Sequence, residues 1–134
     1  MELNYLAILA VAVLGVVLGS LWYGPLFGKA WMRLAGISMP AALTKEIKQR
    51  MILSYLIQFT SVLFMSFIFG GIVSLAVGYS EVFATALVLW LAFVVPPLLP
   101  AVLWEGRKWQ YFFITSGYYL VFLLLAAGIF ALWR

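Results

Sequence analysis

Four long apolar runs, none interrupted by a charge, restrict what this chain can fold into. They cover about Asn4 to Phe27, Met51 to Ser80, Val82 to Trp104 and Trp109 to Trp133. Each exceeds the ~20 residues with which a helix crosses a ~30 Å hydrocarbon core. Hydrocarbon offers the backbone no hydrogen-bond partner, so only helices and closed barrels cross it. The runs are continuously apolar rather than alternating, which selects helices. The expected fold is an all-α integral membrane protein. Its four transmembrane helices form an up-down antiparallel bundle, a single domain over residues 1–134. Composition agrees: 9% of residues are charged, against about 25% in soluble chains, too few to make a polar skin.

The cations set the expected direction. Lys29, Arg33, Lys45, Lys48 and Arg50 lie in the loop 28–50, and Arg107 and Lys108 in the turn before the last run. The turn near Gly78 to Glu81 carries no cation, and the N-terminal end carries Glu2. The positive-inside rule places both basic loops in the cytoplasm and both termini outside it, in a multi-pass cell-membrane protein. Arg134 is the one basic side chain on the other side. The start, MELNYLAIL, is acidic and its apolar run long, so the first run is expected to stay as a span rather than be cleaved as a signal peptide.

The chain has neither cysteine nor histidine. That removes disulfides, thiolate chemistry, the commonest general base and the commonest transition-metal ligand. Glu2, Glu46, Glu81 and Glu105 are scattered, so no paired-carboxylate site shows by spacing. No catalytic residue, metal site or cofactor is expected. The net charge of +4 reads as orientation and anionic lipid rather than nucleic-acid binding.

Two stretches are unusual. SLWYGPLFGKAW, from Ser20 to Trp31, ends the first span on Trp22, Tyr23 and Trp31, with Pro25 breaking the helix and Lys29 and Arg33 placed to snorkel. A membrane exit explains every residue of it; a binding site on the cytoplasmic side is the other reading. AWMRLAG reads as a short interfacial helix stopped at Gly36. A further helix is expected from about Met39, capped by Ser38, running without a break into span two.

PPLLPAVLWEGRKW places Pro96, Pro97 and Pro100 in the inner half of span three, where they should kink or unwind the helix. Glu105 and Arg107 follow at the edge. A carboxylate at that depth wants a cation, so Glu105 is expected to pair with Lys29 or Arg33.

Span one carries Gly15 and Gly19, and span two carries Ser66, Gly70, Ser74 and Gly78 at intervals of four. Such spacing allows close helix contact in lipid. Ser54, Gln58 and Ser61 share a face in the other half of span two. Gln58 needs a partner there, either as glue between helices or in the wall of a polar cavity.

LWYGPLFGKAWMRLAG resembles the WY-x-P…FGK-x-W…G signature of the domain-of-unknown-function 1761 family. So does WEGR, followed by ITSGYYL. The matching positions are Trp22, Tyr23, Pro25, Phe27, Gly28, Lys29, Trp31 and Gly36, then Glu105, Gly106 and Arg107. The resemblance covers nearly the whole chain. It implies a small four-helix membrane protein and transfers no catalytic residue.

Two functions follow as expectations. The small-residue faces suggest a non-enzymatic bundle that self-associates or supports a membrane-protein partner. The proline-rich third span and Gln58 suggest the alternative, a small oligomeric transporter or channel for a neutral or lipophilic solute. Proton coupling is not expected, because no acid or base lies deep in any span. Lipids are the one partner the composition requires.

Overall fold

In a computed structural model the chain is described over residues 2–133 and is helical without strands; Arg134 lies outside the described residues. The helices are α1 (Tyr5–Leu21), α2 (Gly28–Ala35), α3 (Lys45–Val73), α4 (Tyr79–Leu89), α5 (Val95–Leu103) and α6 (Trp109–Leu132). Five-residue π-helical turns follow α1 at Trp22–Leu26 and α4 at Trp90–Val94. Four helical segments are long and apolar enough to cross a membrane: Tyr5–Leu26, Lys45–Val73, Tyr79–Leu103 and Trp109–Leu132.

Helix α6 is the centre of the packing, with Phe122, Leu123, Ala126 and Ala127 buried. At one end Asn4 Nδ2 donates to the Trp133 carbonyl at 3.0 Å. Towards the other end Tyr118 Oη donates to the Gly15 carbonyl at 2.6 Å and Trp22 Nε1 to the Ile114 carbonyl at 2.9 Å. Helices α1 and α6 therefore run past each other in opposite directions. Against α3, Ser66 Oγ donates to the Ile8 carbonyl at 2.8 Å. Gly15 lies so close to Val62 and Phe122 that a Cβ there would come within 2.6 Å and 2.7 Å of them.

The small residues thus make their contacts inside one chain, and the stripe is shorter than its spacing suggests. Helix α3 stops at Val73, Ser74 Oγ turns back to the Gly71 carbonyl at 2.7 Å, and Gly78 belongs to the turn before α4. Only Ser66 and Gly70 act as a helical face, because the four-residue repeat has meaning only while the helix continues. Glu81 closes this turn by accepting from the Val77 N–H at 2.8 Å.

The prolines do not unwind the third span, which is helical from Tyr79 to Leu103. The adjustment is the π turn just before Pro96 and Pro97, where the Val95 N–H bonds to the Trp90 carbonyl five residues back. The same occurs around Pro25, where the Phe27 N–H reaches the Trp22 carbonyl at 2.9 Å. A proline supplies no N–H and crowds the preceding turn; widening the register relieves both. A tryptophan opens each wide turn, and each donates to an α6 carbonyl. Trp22 takes that of Ile114, and Trp90 that of Ser116 at 2.8 Å.

The segment before α3 differs from expectation. The helix begins at Lys45, not near Met39, and its cap is Thr44, whose Oγ1 accepts from the Ile47 N–H at 3.3 Å. Residues 38–44 are exposed. No packed neighbour offsets the entropy of ordering an extra helical turn there.

Candidate functional site

The two unusual stretches meet at the basic end of the bundle. Gly36 closes α2 in the left-handed region at φ 71°, with the Ile37 N–H bonded to the Met32 carbonyl at 2.9 Å, a Schellman close. Gly106, also at φ 71°, turns the chain after α5. Arg107 then projects across to α2, where Nη1 donates to the Leu34 carbonyl at 2.9 Å. A cation on the last carbonyls of a helix also meets the negative end of its dipole. Its guanidinium carbon lies 5.7 Å from the centre of the Tyr111 ring.

This corrects the expected pairing. Glu105 is exposed and, among the described residues, makes no ion pair with Lys29 or Arg33, which are exposed as well. Arg107 makes the link instead, because the turn at Gly106 aims the residue after it, not the one before it, at α2. Gly28 has a local reason to lack a side chain: a Cβ would sit 2.6 Å from the Tyr23 carbonyl oxygen.

Above this corner lies a cleft of about 370 Å³ between α1, α3 and α6. Tyr23 and Ser20 line it from the end of the first span, Tyr55 and Gln58 from α3, and Tyr118 and Tyr119 from α6. The rings of Tyr23, Tyr118 and Tyr119 form a connected wall. Tyr23 meets Trp31 edge-on at 4.9 Å and Tyr118 at 5.7 Å, and Tyr118 stacks on Phe122 at 6.2 Å. Tyr118 and Ser20 spend their hydroxyls on the Gly15 and Val16 carbonyls. The Gln58 amide and the hydroxyls of Tyr23, Tyr55 and Tyr119 have no hydrogen-bond partner among the described residues. Gln58 is therefore not glue between helices here; it faces the cleft.

Tyr23, from the first marked stretch, and Gln58, from the polar face of span two, thus share one cleft. Ser54 lies one turn further along α3, in a neighbouring hollow that Gln58 and Tyr55 also line. Ser61 is separate, in a shallow groove with Thr60 and Phe64. Pro25, at the wide turn, is exposed. Sequence reasoning passed over Tyr55, Tyr118 and Tyr119 as site residues, and Trp90 as an anchor. Trp90 had a signal: tryptophan favours the membrane interfaces, and this one sits in mid-span. The cleft lining holds no carboxylate and no cation, so it offers uncharged donors and acceptors on an aromatic wall.

The profile of the family described as "Protein of unknown function (DUF1761)" matches residues 6–131. The chain belongs to that family. The match takes in all four spans and both stretches that build the basic end. No curated protein and no solved structure gives a significant match. Within this DUF1761 member, the signature positions Trp22, Gly28, Gly36, Gly106 and Arg107 carry structural tasks: an α6 anchor, a close backbone approach, two left-handed turns and a helix-end cap. Tyr23 is the signature residue that reaches the cleft.

Proposed function

We propose that this membrane protein is a non-enzymatic binding bundle whose cleft holds an amphiphile through uncharged polar groups. One observation carries the reading. Gln58, Tyr23, Tyr55 and Tyr119 bring free hydrogen-bonding groups to one opening among three of the membrane-spanning segments. Polar groups without partners are costly in an apolar medium, so a molecule that brings both polar atoms and apolar surface gains by entering. By the positive-inside rule, the basic end with this cleft faces the cytoplasm.

The test is native mass spectrometry of the protein released gently from its own membrane. The wild type is expected to carry a bound small molecule or lipid, and Gln58→Leu to lose most of it. A bare wild-type protein, or equal retention in the variant, sinks the reading.

A second reading, partner support, has its own observation. The third span buries little: 6% of its most apolar window is covered. A groove of about 610 Å³ separates it from α3, with walls that include Ile68, Phe93 and Leu98. A helix of a partner or of a second copy fits such a surface. The chain has no cysteine, so Phe93→Cys reports cleanly. Crosslinking of that variant in native membranes supports this reading, and an uncrosslinked monomer removes it.

A further inference from the structure

The cleft continues towards a charge. Gln58 and Tyr55 line both the tyrosine cleft and the next hollow, about 550 Å³, whose walls include Ser54, Met51 and Arg50. Arg50 is exposed and, among the described residues, makes no ion pair, although Glu46 lies one turn earlier on the same helix. Around it the basic end carries Lys29, Arg33, Lys45, Lys48, Arg107 and Lys108, against Glu46 and Glu105 alone. The groove is thus graded: a free cation at the rim, uncharged polar groups next, an aromatic and glycine wall deepest.

The dimensions match one class of molecule. Arg50 and Gln58 are separated by about 12 Å of helix at 1.5 Å per residue. A headgroup layer is roughly 5–8 Å deep on each side of a bilayer. With Arg50 at phosphate level, Ser54 and Tyr55 stand near the glycerol esters and Gln58 at the start of the hydrocarbon. We infer that the occupant is an anionic glycerophospholipid. Arg50 holds its phosphate, Ser54, Tyr55 and Gln58 bond its ester region, and one acyl chain lies along Val16 and Gly19. The inference rests on the binding reading above and adds the class of headgroup and the residue that selects it.

The test adds phosphatidic acid, diacylglycerol or inorganic phosphate to the delipidated protein in neutral detergent and counts adducts by native mass spectrometry. Phosphatidic acid and diacylglycerol differ only in the phosphate. One saturable phosphatidic acid adduct is expected, about tenfold tighter than diacylglycerol, as one charge-assisted hydrogen-bonded contact gives. Arg50→Gln should erase that preference and leave diacylglycerol binding unchanged. Gly24→Leu, at a cleft position where a Cβ meets nothing within 4 Å, should block both lipids while the melting temperature holds.

A preference that survives Arg50→Gln overturns the headgroup assignment. If Gly24→Leu still blocks both lipids, the cleft reading stands without it. Adducts insensitive to Gly24→Leu and Gln58→Leu overturn both. Inorganic phosphate that displaces the lipid at equal concentration means a free-anion site, and the lipid assignment fails.

Discussion

Where α1, α3 and α6 cross in the middle of the bundle and towards the termini, Gly15, Ser66 and Gly70 lie under neighbouring side chains. At the basic end, Ser20, Gly24 and Ser54 are residues of the same kinds, and all three are exposed. The first three close the bundle where they lie, and the second three leave it open. The difference lies in what opposes them. Gly15 faces Val62 and Phe122, whereas the space beside Ser20 and Gly24 is walled by tyrosines and Gln58. Residues 51–58 of α3 are all exposed, so this helix is held at one end only. Closure rests on complementary shape; the opening persists where polar tips replace apolar bulk.

Breaking the closed end is the largest expected effect. Gly15→Leu drives a side chain into Val62 and Phe122 and should cost about 3 kcal/mol of stability, near the top of the usual overpacking range. Thermal unfolding in detergent measures it; a wild-type melting temperature would show that the contact is not tight. Gly70→Ala is milder, about 1.5 kcal/mol, because its Cβ meets the Phe130 ring at 3.0 Å and Ile8 at 3.3 Å. Adding Phe130→Leu should recover part of that loss, and strictly additive losses would place the strain elsewhere.

Ser66→Ala removes a buried hydrogen bond to the Ile8 carbonyl. It should cost about 0.6 kcal/mol, the average for such bonds between membrane helices. A loss several times larger in chemical unfolding would mean that Ser66 orders more than one contact. At the open end, Gly24→Ala should change stability by less than about 0.5 kcal/mol, as at surface sites. A large loss there would erase the contrast between the two ends.

The spans were readable because crossing hydrocarbon depends on length and apolarity, which are properties of the chain itself. Gly36 was readable as a helix stop because left-handed closure favours glycine. The start of α3 at Lys45 was not, since Ser38 and Thr44 are both acceptable caps and only the lack of packing around residues 38–44 decides between them. Glu105 misled for a related reason. Its charge said that it wanted a cation, but the turn at Gly106 decides whether Glu105 or Arg107 faces α2.

The cleft shows the same division. Gln58 and Tyr23 were each visible as unusual residues, and Tyr118 and Tyr119 lay within a run that matched the family signature. Nothing in their spacing said that they share one opening, because they come from three different helices. The sequence by itself determined that the chain has four helices long and apolar enough to cross a membrane, and at which end the cations gather. Those are local or additive properties, set residue by residue. Only the tertiary structure decided which small residues are covered, which cation bridges to α2 and which polar groups are left facing a cleft. Each of these depends on how helices distant in sequence rotate and pack against one another, and a residue's own chemistry does not fix that.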